Sequence, residues 1–246
     1  TAQAARRHLR RFAVLDHRRY NDHYSSREAF FALFESANQP RAARALFDEA
    51  KHWATDRGLG TIRGPKGMSV LDGLGLLVKG YEHRPALGIP YNPPYYADLL
   101  RASGFAACED IVSGYMPRKT SFPDRIHRIA EAVKRRRGLK VRQFESRADL
   151  RAIVPQFRAL YNRSLALIPG NVPLTLSETQ ALAEQVLAIS DLSLIKVVAK
   201  GEELVGFVLA YPDISAGLQR CGGRLWPFGW YHLLREKRRT RWLNIN

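Results

Sequence analysis

Apolar positions recur at helical spacing most clearly between Pro40 and Gly58, where Ala42, Ala43, Leu46, Phe47, Ala50, Trp53 and Ala54 fall on one face. Asn38 is placed to cap this helix, Pro40 suits its first turn and Gly58 its stop. Ahead of it, the short apolar runs 11–15 and 29–34, rich in Phe and Val, predict strands, with the polar stretch 16–27 as a long connection. Residues 59–90 are punctuated by glycine. Their apolar pieces at 61–63, 74–78 and 86–89 predict short strands and turns. Pro93 and Pro94 open a second helix from Tyr95 to about residue 102, ended by Gly104. Residues 105–116 read as a strand, with Ile111, Val112 and Tyr115 its firmest members.

The pattern changes between Pro117 and Gly138. Two prolines and the run Lys134-Arg135-Arg136-Arg137 mark a boundary, although Ile126, Ile129, Ala130 and Val133 are spaced for one short linking helix. A strand over 139–144 follows, then a helix capped by Ser146 that carries Leu150, Ile153, Val154, Phe157, Leu160 and Tyr161; Pro155 inside it predicts a kink or break. Thr175 and Glu178 form a capping box that opens a helix to about 189. The alternating runs 194–199 and 204–211 predict a hairpin, and 241–246 the start of another strand.

Charge narrows the partners. With 39 Lys+Arg against 23 Asp+Glu the formal charge is +16, and the excess crowds Arg6–Arg11, 134–137 and 235–241. Such a balance admits nucleic acid, an anionic membrane surface or a phosphate-rich cofactor. No nucleic-acid reading element accompanies it, so contact with nucleic acid would be nonspecific, and solvated charge at termini and linkers is the plain alternative. Trp226, Phe228 and Trp230 beside the last basic run could lie on a membrane surface, though Pro227 and Gly229 interrupt a clean amphipathic helix. No apolar run approaches the ~20 residues that cross a bilayer. Two distant cysteines exclude a disulfide framework and a Cys-rich zinc module, and fit a reducing compartment; the expected location is the cytoplasm. Cys108, in a predicted strand, is expected to be a buried, inert thiol. An Arg-rich start without Met reads as a trimmed or partial chain.

Several sites fail on spacing. Gly73-Leu-Gly75 lacks the third glycine of a dinucleotide fingerprint, and Gly64-Pro65-Lys66-Gly67 puts its lysine on the wrong side of the glycine for a Walker loop. His17 and His23 are six apart in a polar stretch and do not make a helical zinc pair. No nucleophile elbow is present. No metal is expected.

What remains is the order of elements, together with VVAKGEELVGFVLAY at 197–211, ADLLRASGF at 97–105 and the tract RGP…GLLVKGY…PYNPPYYADLLRASGF. These resemble the GNAT superfamily of acyl-CoA-dependent N-acetyltransferases, and bacterial tandem GNAT-like proteins in particular. The resemblance implies an α/β (α+β) fold with a mixed, mostly antiparallel central sheet flanked by helices, built from two partial units. Residues 1–117 would be the C-terminal half of a first unit, 118–137 a basic linker, and 138–246 the N-terminal half of a second. Either the chain is a fragment of a longer tandem protein or its halves pack as one composite unit; a sheet shared by both halves is expected.

The implied activity is transfer of an acetyl group from acetyl-CoA to a primary amine on a small molecule or peptide. In that family the cofactor pyrophosphate sits at a helix N-terminus. Here that place holds Asn38, Gln39, Arg41, Ala42, Ala43 and Arg44. Setting Asn38, Arg41 and Ala43 on the family pattern Gln/Arg-x-x-Gly-x-Gly/Ala, only Ala43 conforms. Pro40 removes one donor, while Arg41 and Arg44 could meet phosphate directly. Asn92 lies near a frequent cofactor contact. Leu100 falls where the family carries the tyrosine that protonates the thiolate, and Tyr96, one turn earlier, is the available substitute. Glu35, closing the cofactor-side strand, is the geometric candidate for the base. Tyr91, Tyr95 and Tyr96 are equally read as core or rim aromatics. The rival class is a non-catalytic module of the same fold whose basic patches engage nucleic acid or acidic protein.

Overall fold

A computed structural model describes residues 10–67, 73–117, 120–168 and 170–245. It is a mixed α/β fold of mostly antiparallel sheets flanked by helices, the class expected from the sequence, and it divides into two units, 1–113 and 114–246.

The first unit is built on β1 (Arg10–Asp16) and β2 (Glu28–Ser36), which pair antiparallel, and on β3 (Thr61–Arg63), which joins β2 in parallel. Helix α2 (Pro40–Thr55) buries Ala43, Phe47, Ala50 and Ala54, the face its spacing predicted. That face closes a core with Phe31, Phe34, and Tyr96, Leu99 and Leu100 of α3 (Tyr96–Ala102). Its aromatic content decides its geometry. Phe47 meets Phe105, Phe12, Phe31 and Phe34 at centroid distances of 4.7, 5.3, 5.2 and 5.3 Å, in tilted and edge-on arrangements that the ring quadrupole favours.

The second unit opens with α4 (Asp124–Arg137), whose side chains are all exposed and which Gly138 ends in the left-handed conformation at φ 63°. A sheet follows in the order β4 (Leu139–Arg142), β5 (Ile195–Lys200), β6 (Glu203–Pro212), β7 (Leu243–Ile245), antiparallel throughout. Helices α5 (Arg147–Ala152) and α6 (Val154–Leu165) are separated at Ile153, and Pro155 sits in the first turn of α6, where its missing N–H has no helical partner to lose. The capping box of Thr175 with Glu178 closes as expected and opens α7 (Leu176–Ile189), and Ser146, expected as a cap, makes a full box with Asp149. Leu150, Leu160, Val186, Leu187, Ile195, Val197 and Leu204 fill this core. Helices α8 (Ser215–Arg220) and α9 (Gly229–Arg239) lie between β6 and β7 in the chain.

Several expectations are corrected. The polar stretch after β1 contains helix α1 (Arg18–Tyr24), capped by the His17 side chain and held by Asn21, whose amide pairs with both backbone groups of Glu28. No element forms over 86–89; at 74–78 there is only a single bridge, Lys66 to Leu74. Residues 105–116 are irregular, with Ile111, Val112 and Tyr115 exposed: apolar content alone makes no strand where none lies beside it to complete the ladder. Cys108 is accordingly exposed rather than buried. A sheet shared between the units is not among the ladders of the described residues; each unit closes its own.

Where β3 ends, Gly64 packs against Phe31, and a Cβ there would stand 2.5 Å from the Phe31 carbonyl oxygen and 2.7 Å from its ring. Backbone cannot yield as a flexible side chain would. Gly64→Ala is therefore expected to lower stability by ~1–3 kcal/mol, read as a shift of the urea midpoint at unchanged slope.

Candidate active site

Strand β2 runs on beyond its parallel partner. The pairing with β3 ends at Phe30 and Arg63, followed by one further bond, from the Lys66 N–H to the Phe31 carbonyl (2.8 Å). On its other side β2 carries a bulge, because Ala13 pairs with Ala32 but Arg11 with Glu35. Leu33 sits in that bulge at φ 55°, with 73 % of its surface exposed. A leucine in the left-handed region costs on the order of 1–3 kcal/mol and persists only where its surroundings impose it. The end of the parallel ladder and a strained, exposed bulge thus lie along one strand, which feeds directly into α2.

Helix α3 closes on the same place. The Tyr96 hydroxyl accepts a hydrogen bond from the Ser36 backbone N–H (3.2 Å), and the Tyr95 hydroxyl donates to the Ser36 carbonyl (3.0 Å). Tyr96 is buried against Phe34, and burial pushes its phenol above the ordinary tyrosine value, partly opposed by the Ser36 hydrogen bond. Glu35 is exposed and forms a two-pronged pair with Arg11, at 2.9 and 3.0 Å, which raises the Arg11 guanidinium further.

The turn into α2 is short of free donors. Gln39, not Asn38, is the capping residue and makes no side-chain cap. Its N–H goes to the Ala37 carbonyl, Ala42 and Ala43 both donate to the Gln39 carbonyl, and Pro40 has no N–H. Arg41 is exposed at this turn. Arg44 reaches away, its guanidinium donating to the Ala102 carbonyl at the end of α3 (2.8 Å). Asn92 clamps a loop, accepting from Leu77 N–H (2.8 Å) and donating to the Leu77 and Pro93 carbonyls. The structure therefore gathers Glu35, Asn38, Gln39, Arg41, Ala42, Ala43 and Tyr96 at the end of β2, while Arg44 and Asn92 each hold backbone.

Sequence reading passed over Leu33 and the hydroxyl of Tyr95. No residue pattern signals a leucine bulge; Tyr95 was visible only as an aromatic at a helix start. Lys66, set aside with the failed Walker spacing, lies just past the end of the ladder, its ammonium over the rings of Tyr20 and Phe30 at 4.9 and 5.2 Å and its pKa lowered by burial. Among the described residues no group of His, Cys, Asp and Glu could hold a metal ion.

Comparison with known proteins adds chemistry to this geometry. The chain is 23 % identical over 216 residues to protein YghO of Escherichia coli strain K12, covering 87 % of the chain and 55 % of that protein. It is 27 % identical over 210 residues to the bacterial ceramide synthase of Caulobacter vibrioides, covering 84 % of the chain and 53 % of that protein. The chain thus spans about half the length of these curated relatives. No protein-family model matches it, and no solved structure does.

Proposed function

We propose that this chain carries the donor-binding half of an N-acyltransferase of GNAT-like build, which moves an acyl group from a CoA thioester to a primary amine. The observation that carries the reading is the similarity, along 84 % of the chain, to a protein named as a ceramide synthase. A ceramide is the amide of a fatty acid and a long-chain amino alcohol, so making one joins an acyl carbon to an amine nitrogen. The stretch of β2 beyond its parallel ladder, leading into α2, is where this reading places the donor. Acetyl-CoA is the smallest donor the site would take.

In this reading the thioester lies along the unpaired stretch of β2, whose backbone N–H groups polarise its carbonyl. The amine nitrogen attacks the carbonyl carbon; the C–N bond forms and the C–S bond breaks. The proton lost by nitrogen passes to Glu35, and the departing thiolate takes the Tyr96 phenol proton. With backbone donors sparse at the head of α2, the Arg41 guanidinium meets the pyrophosphate.

The test is a thermal-shift titration with CoA, acetyl-CoA and a long-chain acyl-CoA, followed by release of CoA thiol on adding a panel of amines that includes a long-chain amino alcohol. At ligand about a hundredfold above Kd the stabilisation is ~2.7 kcal/mol. Arg41→Glu is expected to remove most of it. A binding module without catalysis would show no thiol release with any amine, and a shift with duplex DNA that vanishes as salt rises would mark charge alone.

A further inference from the structure

Helix α9 has one face too many. It packs through Gly229, His232 and Glu236, and its approach to α8 is close enough that a Cβ on Gly217 would stand 2.8 Å from the His232 carbonyl oxygen. The opposite face carries Trp230, Tyr231, Leu234 and Arg238, all exposed, and the preceding loop adds Leu225, Trp226 and Phe228. Trp226 is 84 % and Phe228 72 % exposed. On the flank of α9 nearer α8, Arg235 and Arg239 line an open cleft of about 450 Å³ with Arg220 and Glu236. The single carboxylate there is taken by Arg220, and neither Arg235 nor Arg239 has a carboxylate partner among the described residues. The exposed aromatic face, which also carries Arg238, is thus flanked by the guanidiniums of Arg235 and Arg239, which have no carboxylate partner among the described residues.

We propose that this face, the 225–228 loop and the outer side of α9, is a docking surface for an anionic phospholipid bilayer. The chemistry selects that occupant. Nucleic acid would answer the cations but leave Trp226 and Phe228 in water. A second copy in two-fold contact would set one basic face against another. A bilayer surface with anionic headgroups meets both, the rings entering the boundary of headgroups and acyl chains while phosphates meet Arg235 and Arg239. At 11 residues α9 is too short to span a core ~30 Å thick, and among the described residues no helix is long and apolar enough to cross. It lies in the interface plane. The inference needs no assignment of substrate.

The experiment uses the whole chain with sedimenting vesicles of phosphatidylcholine alone and of phosphatidylcholine mixed with phosphatidylglycerol. Binding is expected to the anionic vesicles only, with a blue shift of tryptophan emission. Trp226→Ser with Trp230→Ser, and separately Arg235→Glu with Arg239→Glu, are each expected to weaken it at least about tenfold; all four side chains are exposed, and unchanged circular dichroism shows the variants folded. No binding overturns the proposal. So does binding without a blue shift, binding unchanged in the tryptophan variant, or a concentration-dependent dimer that both variants abolish.

Discussion

Tyr96→Phe is expected to slow release of CoA thiol by about 10²–10⁴-fold, the range for losing a positioned general acid. The proton is there to give. Burial holds the Tyr96 phenol above the ordinary tyrosine value, so the group stays protonated as pH rises through neutrality and beyond, and imposes no alkaline limb on the rate below its own raised pKa. The sign of its stability contribution follows: present below the ordinary tyrosine value, lost as pH climbs through the folded one. The variant also leaves the Ser36 N–H without its buried acceptor, at about 1–3 kcal/mol. Lost stability must therefore be separated from lost chemistry. Tyr95→Phe supplies the control, since it removes the other hydroxyl on Ser36 and is expected to lower the melting temperature while leaving turnover within a few-fold of wild type. Equal rates for Tyr96→Phe and wild type would remove the general-acid role.

Local signals were legible because their physics is local. The face of α2, the cap at Ser146, the capping box at Thr175, the break ahead of Pro155 and the β5–β6 hairpin each rest on residues within a few positions of one another, and each formed. What failed depended on distant partners. Helix α1 buries only Tyr20 and is held through Asn21 to Glu28, which no periodicity reports. The apolar run 105–116 looked like a strand but found no neighbour. The close packing of α8 on α9 rests on Gly217, and Gly229 sits against the Arg224 backbone of the preceding loop; that need for backbone contact shows only in three dimensions.

The candidate site divides the same way. Its expected location at the β2–α2 junction came from the family resemblance, applied to a strand that runs into a helix. That Tyr96 and Tyr95 clasp the two backbone groups of Ser36, some sixty positions away, is a product of how α3 packs. The pairing of Glu35 with Arg11 hangs on the bulge that shifts the register at Leu33. Arg44 looked like a phosphate ligand from its position on α2 and instead closes the end of α3, because that helix end offers a carbonyl with no partner of its own.

Phe47→Ala is expected to destabilise the first unit by about 3–5 kcal/mol, the transfer free energy of a fully buried ring plus the cavity left among rigid neighbours. Phe47 has no exposed surface, and the four rings around it come from β1, β2 and the segment after α3, so collapse into the gap would have to move three separate pieces of backbone. Against a domain stability of 5–15 kcal/mol, that loss is severe. It also reaches the site, because the same ring seats α2, with Arg41 in its first turn, against the strand that ends at Ser36; the shift with acyl-CoA is expected to fall along with the melting temperature. Ile195→Ala makes the complementary lesion in the second core, where Ile195 is equally buried. Hydrogen exchange separates the two: Phe47→Ala is expected to lose protection across 10–113 and keep it in β5 and β6, and Ile195→Ala the reverse. Equal loss in both units for either variant would mean that the two cores unfold as one cooperative body, and a cost below 1 kcal/mol for Phe47→Ala would contradict the packing of the aromatic cluster itself.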